Sequence, residues 1–216
     1  TADQLSDYLY AKHAKERNEF IGIKRPELLN GSGMTNEEAE EILNELESPE
    51  MMEVANRVYD ILKNTRQTMF EGGLETRESI ETWEGMYEYY VPLNGLADNE
   101  KSDGYNDHPT GGAGMAIYGS SVKAAKGRPS KTGVNLLANI VVQNMATHQR
   151  ARKDQAMLSL YNLVENNPNE GVWAVYSGKN PKMTRKEGGE MGRMTVPEMK
   201  HERRMVPIRV NGKQHF

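Results

Sequence analysis

Thr35-Asn-Glu-Glu-Ala-Glu-Glu-Ile-Leu-Asn-Glu-Leu46, followed at once by Ser48-Pro49, is the stretch that decides the fold. Thr35 and Glu38 form a capping box, in which the hydroxyl satisfies a free N–H of the first turn and the carboxylate reaches back to the cap N–H. The helix it opens places Ala39, Ile42, Leu43 and Leu46 on one side. Ser48 then acts as N-cap and Pro49 takes the first helical position, where its missing N–H costs nothing. A second helix follows, with an apolar stripe at Met51, Val54, Ala55, Val58, Ile61, Leu62 and Met69, and Gly72-Gly73 ends it.

The same signals recur on both sides. Residues 3–20 read as a helix with Leu5, Tyr8, Leu9, Lys12 and Phe20 on one side, broken at Arg25-Pro26. Thr76-Arg-Glu-Ser79 opens a short helix through Trp83 and Tyr87. Tyr90-Val-Pro-Leu93 forces extended backbone, because the residue before a proline avoids the helical region. A long helix is expected from Val134 to about Asn166, with Leu136, Leu137, Ile140, Val141 and Met145 on its first apolar face and Ala156, Met157, Leu160, Leu163 and Val164 on its last. Between them, His148-Gln-Arg-Ala-Arg-Lys-Asp154 turns the stripe polar. That centre reads either as exposed between two packed ends, the commoner outcome, or as a polar contact zone.

Residues 96–133 are rich in glycine and have little periodicity, a pattern of functional loops or of flexible excursions. Val172-Trp-Ala-Val-Tyr176 is a β-type run, and 179–209 is basic, with 9 Lys/Arg against 4 Asp/Glu. Val206-Pro-Ile-Arg-Val210 before Asn211-Gly212 is the strongest hairpin signal, since Asn-Gly suits a type I′ turn. The expected fold is mainly α: a helical bundle with a long glycine-rich loop and a small C-terminal tail containing a β-hairpin. It divides into an acidic helical region (1–95), the loop (96–133), a long helix packing on the N-terminal helices (134–167) and a basic β-containing tail (168–216) that leads to a following domain.

The chain has 216 residues, 37% hydrophobic and 27% charged, with mean hydropathy −0.77. Its 13 Met outnumber 3 Phe and 2 Trp, so Leu, Ile, Val and Met build the core, with Met filling irregular gaps. There is no cysteine, which excludes disulfides, thiolate chemistry and Cys-based zinc sites. No apolar run reaches the roughly 18 residues of a membrane helix. The start lacks an initiator Met and a signal peptide, and the end stops early in a strand, so the chain reads as a piece of a longer protein. Charge is uneven: residues 1–107 carry 10 Lys/Arg against 24 Asp/Glu, and 108–216 carry 17 against 7. The halves can attract each other, or the second can meet an acidic partner such as nucleic acid.

The five histidines, His13, His108, His148, His201 and His215, show no metal-ligand spacing, and no catalytic fingerprint is present. Gly127-Arg-Pro-Ser-Lys-Thr132 fails as a phosphate loop because no glycine precedes Lys131 and Pro129 removes an N–H. It fits better as a basic loop that touches phosphate or an acidic patch. His13, Glu16 and Arg17 share a helix face, which suits acid/base work but equally surface salt bridging. No catalytic, cofactor-binding or metal residue is assigned, and no cofactor is expected. The candidate interaction residues are the basic ones: Arg128, Lys131, His148, Arg150, Arg152, Lys153, Arg203 and Arg204.

Three short phrases carry a resemblance: Tyr8-Leu-Tyr-Ala-Lys-His-Ala-Lys-Glu-Arg-Asn18, Gly31-Ser-Gly-Met-Thr35 and Tyr89-Tyr-Val-Pro-Leu-Asn94. In that order they resemble a segment of the very large polyvalent proteins of tailed bacteriophages, over most of the chain but thinning across 96–132. The resemblance implies a non-enzymatic structural or interaction module of a large phage protein, packaged in the virion and ejected into the host with DNA. Its partners would be other domains of that protein and other virion proteins. The alternative is a regulatory or nucleic-acid-presenting domain attached to a phage polymerase, helicase or methyltransferase, making weak nucleic-acid contact through the basic half.

Overall fold

The computed structural model describes residues 1–28, 30–93, 115, 117, 127, 128, 130, 135–169, 172, 173, 175, 176, 183–187, 190–194 and 206–216. The expected glycine-rich loop lies almost wholly outside them, as do Lys131, Arg203 and Arg204. The chain is mainly helical: α1 (Ala2–Lys24), α2 (Asn36–Leu46), α3 (Pro49–Glu71), α4 (Arg77–Met86) and α5 (Leu136–Asn166). Two antiparallel hairpins follow, β1 (Met183–Glu187) with β2 (Glu190–Met194), and β3 (Ile208–Val210) with β4 (Lys213–His215). Among the described residues, no helix is long and apolar enough to cross a membrane.

The caps read from sequence are in place. The N–H of Glu38 donates to the Thr35 hydroxyl at 3.0 Å, and the N–H of Thr35 to the Glu38 carboxylate at 2.8 Å. Ser48 receives Met51 N–H and Thr76 receives Ser79 N–H, both at 3.1 Å. Asn135 does the same for α5 through Ala138 N–H. At the C-terminus, Asn211 (φ 48°) and Gly212 (φ 72°) form the turn that Asn-Gly favours, joining β3 to β4 in the register Val210↔Lys213. Tyr176 exchanges both backbone hydrogen bonds with Phe216 (2.9 and 2.8 Å), so the β-type run at 172–176 meets the end of this hairpin.

The core differs from the simple amphipathic picture. In α1, four consecutive residues, Tyr8, Leu9, Tyr10 and Ala11, are buried, together with His13, Ala14, Arg17, Asn18 and Ile21. A helix buried on several sides is central, not a surface element with one apolar stripe. It sits against α2, α3, α5 and the 91–93 strip, in a cluster that includes Met34, Ala39, Ala55, Leu62, Val91, Leu93, Leu136 and Ile140. A second cluster, Met69, Leu74, Ile80, Ile117 and Ala151, lies at the junction of α3, α4 and the middle of α5.

Two stripes are narrower than the sequence suggests. On α3 the buried set is Ala55, Leu62, Thr65 and Met69, while Val54 and Ile61 stay about 44–45% exposed. On α5, Leu136 and Ile140 are buried, but Val141 and Met145 are more than half exposed, and Leu160 and Leu163 also face outward. The buried line on α5 runs on through Thr147, Ala151, Asp154 and Met157. The polar centre of this helix is therefore a contact zone and not an exposed bridge. Gly72 makes that contact possible: a Cβ there would lie 2.4 Å from Ala151 Cβ. The β1–β2 hairpin was not expected; Gly188-Gly189 between its strands is the sequence signal that points to it.

Candidate functional site

Polar groups gather at two places, each where a distant segment is fastened to a helix. The first is on α1. Asn18 Nδ2 donates to Met34 O and to Asn36 Oδ1, both at 2.9 Å, and its Oδ1 accepts Ser32 N–H at 2.8 Å. The Tyr10 hydroxyl donates to Ser32 O at 2.5 Å. Glu16 accepts the backbone N–H groups of Glu88 and Tyr89, one on each oxygen, at 3.0 Å. Residues 8–18, 31–35 and 89–93 of the three phrases thus meet in space, with α1 as the shared partner. Helical spacing explains it: positions 10, 18 and 21 face the 31–34 turn, while 13, 16 and 20 face the 87–90 segment.

His13 is fully buried, and its ring stands edge-on to Tyr87 (4.9 Å) and Tyr90 (5.7 Å). Neither ring nitrogen has a hydrogen-bond partner among the described residues. Its Nδ1 lies 3.9 Å from Glu16, beyond hydrogen-bond reach. Burial holds His13 below its usual pKa, so the ring is neutral. Burial works to raise Glu16, but the adjoining His13 and the N–H groups of Tyr89 and Glu88 outweigh it and hold the carboxylate below its usual range. Arg17 is 9% exposed, and its Nε has no hydrogen-bond partner among the described residues. Burial presses its pKa down, opposed by the hydroxyls of Tyr87, Tyr90 and Tyr10. A neutral, enclosed histidine and a carboxylate occupied by two backbone donors are poorly placed for proton transfer to a substrate. Beside them, Lys15, Glu16, Asn18, Glu19 and Asn36 line a shallow open depression.

The second gathering is on α5. Arg209, on β3, is 6% exposed. Its backbone N–H donates to Asp154 Oδ1 at 3.0 Å, and its Nε–H to Leu74 O at 2.7 Å. Its Nη2 donates to Gly212 O and lies 3.5 Å from Glu75 Oε2. Gly212 N–H donates to Gly73 O at 3.0 Å, and Gln214 Nε2 donates to Ile117 O and Ile208 O. Asp154 is fully buried, and its Oδ2 has no hydrogen-bond partner among the described residues. Burial pushes its carboxyl up to about 6, against the lowering pull of the Arg209 N–H and the Arg209 and Arg150 charges.

The basic residues singled out from sequence do not assemble into one surface. His148 and Arg152 are exposed and Lys153 half-buried. Arg150, one turn before Asp154, is half-buried, and its charge bears on Arg209, Asp154 and Glu75. Arg128 is occupied at the first joint, donating from Nη1 to Leu93 O (3.2 Å) and from Nε to Ser130 O (2.6 Å), while its backbone N–H bonds Gly31 O. Asp154, Arg209 and Glu75 were not anticipated. The available signal was the i,i+4 pair Arg150/Asp154 in the polar middle of α5. Among the described residues, no group of three or more His, Asp or Glu side chains could hold a metal ion. No protein-family model, curated protein or solved structure gives a significant match to this chain.

Proposed function

We propose that this chain is a non-enzymatic structural and interaction module of a large tailed-phage protein, carried in the virion and ejected into the host with DNA. The reading begins from the three phrases that resemble such proteins. The observation that supports its structural half is their convergence: the Tyr10, Glu16 and Asn18 side chains of the first phrase hold the backbone of Ser32 and Met34 and of Glu88 and Tyr89. His13 and Glu16, the pair that could do acid/base work, are consumed in that joint. Strong local caps on α1 to α4 and helix-rich local contacts suit a protein that must refold after passing a narrow tail, since such chains fold fast.

Mass spectrometry of purified virions tests the proposal. Peptides of this chain, within a much longer parent, are expected among the packaged proteins; their consistent absence from virions, with presence in infected cells, overturns it. The alternative role at nucleic acid predicts salt-dependent binding of DNA or RNA by the 1–216 chain, with a steep fall in affinity as salt rises. The inward engagement of Arg128, Arg150 and Arg209 weighs against it, because those charges already serve internal contacts.

A further inference from the structure

The 87–90 strip lies across α1 as a strap, and His13 is buried against it. Three contacts fasten the strap. Glu16 accepts Glu88 N–H on Oε1 and Tyr89 N–H on Oε2, both at 3.0 Å. The His13 ring stands edge-on to Tyr87 at 4.9 Å and to Tyr90 at 5.7 Å, and the Phe20 ring meets Tyr87 at 5.3 Å. His13 Nδ1 lies 3.9 Å from Glu16 Oε2, the same oxygen that holds Tyr89 N–H. The charges that bear on His13 are those of Glu16 and Arg17. Around this group, Lys12 sits over the Tyr89 ring at 5.6 Å and Tyr59 of α3 packs on Tyr89 at 5.7 Å. Glu88 bears on Tyr89, Arg66 of α3 on Tyr90, and Arg128 on Arg17. Burial holds the Tyr59, Tyr87 and Tyr90 hydroxyls above the ordinary phenol value, so these phenols keep their protons in acid. Glu16, held below its ordinary 4.5, is still an anion at pH 5.

A proton on His13 turns the ring into a buried cation with two N–H donors, beside the charge of Arg17. Contact with the Tyr87 and Tyr90 rings recovers only part of the cost of an unpaired buried ion. The adjoining anion is Glu16, and each of its oxygens already holds a strap amide. Glu16 drawn onto the imidazolium leaves Tyr89 N–H without its acceptor; a strap lifted away lets water reach the ring. Both courses undo the strap. We propose that His13 and Glu16 form an acid-operated latch, in which a proton taken up by His13 frees the 87–90 strip from α1. The closed form binds that proton more weakly than the open one, so the strap is held above pH 6.5 and loosens below it. The 31–34 turn, on another side of α1, is held by the neutral Asn18 amide and by the Tyr10 hydroxyl, which burial keeps protonated. Acid therefore separates the strap from α1 and leaves that turn attached.

Amide exchange of Glu88 and Tyr89 in the 1–216 chain, corrected for the intrinsic pH dependence of exchange and read between pH 7.5 and pH 5, tests the latch. Protection at both amides is expected to fall at least about fivefold, toward a ceiling of about thirtyfold set by one proton taken up at the ordinary histidine value of 6.5. Ser32 N–H, held by Asn18, is expected to keep its protection. His13→Phe, a ring of similar size that takes no proton, is expected to keep both strap amides protected down to pH 5. Flat protection of the two amides in the wild type, an equal fall in His13→Phe, or a parallel fall at Ser32 overturns the proposal. Should His13→Phe fail to fold, the His13 imidazole NMR signals of the wild type decide. A ring that gains its proton while both amides stay protected sinks the latch; a ring that stays neutral until they lose protection supports it.

Discussion

The joint on α1 and the joint on α5 do the same task with opposite charge chemistry. Each fixes a segment remote in sequence onto a helix through one carboxylate. At α1, Glu16 is a quarter exposed and accepts two backbone N–H groups, so it works as an anion. At α5, Asp154 is fully buried and accepts one N–H, and its second oxygen has no hydrogen-bond partner among the described residues. Backbone donors and partial solvation stabilise the charged form; enclosure stabilises the neutral one. Two carboxylates in similar structural roles therefore titrate in opposite directions from their ordinary values.

The largest effect is expected from Arg209→Met. It strips Leu74 O and Gly212 O of a donor and removes the Arg209 charge from beside the buried Glu75, a loss of about 3–5 kcal/mol. Urea unfolding gives the number, and hydrogen exchange at Lys213–His215 should show the hairpin released first. A loss under about 1 kcal/mol would mean that the α5 joint is not what holds the hairpin.

Glu16→Ala ranks next. It removes two charge-assisted bonds at a partly solvated site, so about 1–3 kcal/mol is expected, with amide exchange accelerated at Glu88 and Tyr89. Unchanged protection of those amides would separate the 87–93 strip from α1 and weaken the comparison at its first term.

The opposite titrations give a pH test. Asp154 has an ordinary value of 3.8 and is raised to about 6 in the folded protein. Between those values the folded state binds more protons, so this group's contribution to stability falls as pH rises from about 4 to about 6, then stays level. Glu16 is held below its ordinary range, and its contribution is present above that range and lost as pH falls through the folded value. His13, lowered by burial, acts in the same sense: stability is lost as pH drops below 6.5, where the unfolded imidazole gains a proton. Asp154→Asn should therefore gain relative to wild type between pH 4 and pH 7, while Glu16→Gln should lose relative to wild type as pH rises to about 4.5, the ordinary value of Glu16, and stay level above it. Parallel curves for the two variants would erase the distinction.

Thr35→Ala is the smallest change, about 1 kcal/mol, because it removes one cap hydroxyl and leaves both joints intact. A larger loss with exchange spreading to Ser32 and Met34 would show that the cap and the Asn18 contacts act as one unit.

Much of the scaffold was legible because its signals are local. Thr35, Ser48 and Thr76 caps, the Gly72 stop and the Asn211-Gly212 turn are each set by a few neighbouring residues and appear where the sequence puts them. The joints were less legible. Glu16 lies 72 residues from Glu88 and Arg209 lies 135 from Leu74, and no periodicity links such pairs. The residues His13, Glu16 and Arg17 were visible as one helix face; that this face is covered was not.

By itself the sequence determined where helices begin and stop, the positive-φ turn at Asn211-Gly212, and the absence of thiol chemistry, since each follows from residues within a turn or two of one another. Tertiary structure alone decided that α1 is central, that the polar middle of α5 is a contact and not a gap, and that the two joining carboxylates prefer opposite protonation states. Those outcomes depend on burial and on donors brought from far along the chain, and solvent exclusion is a property of the packed whole.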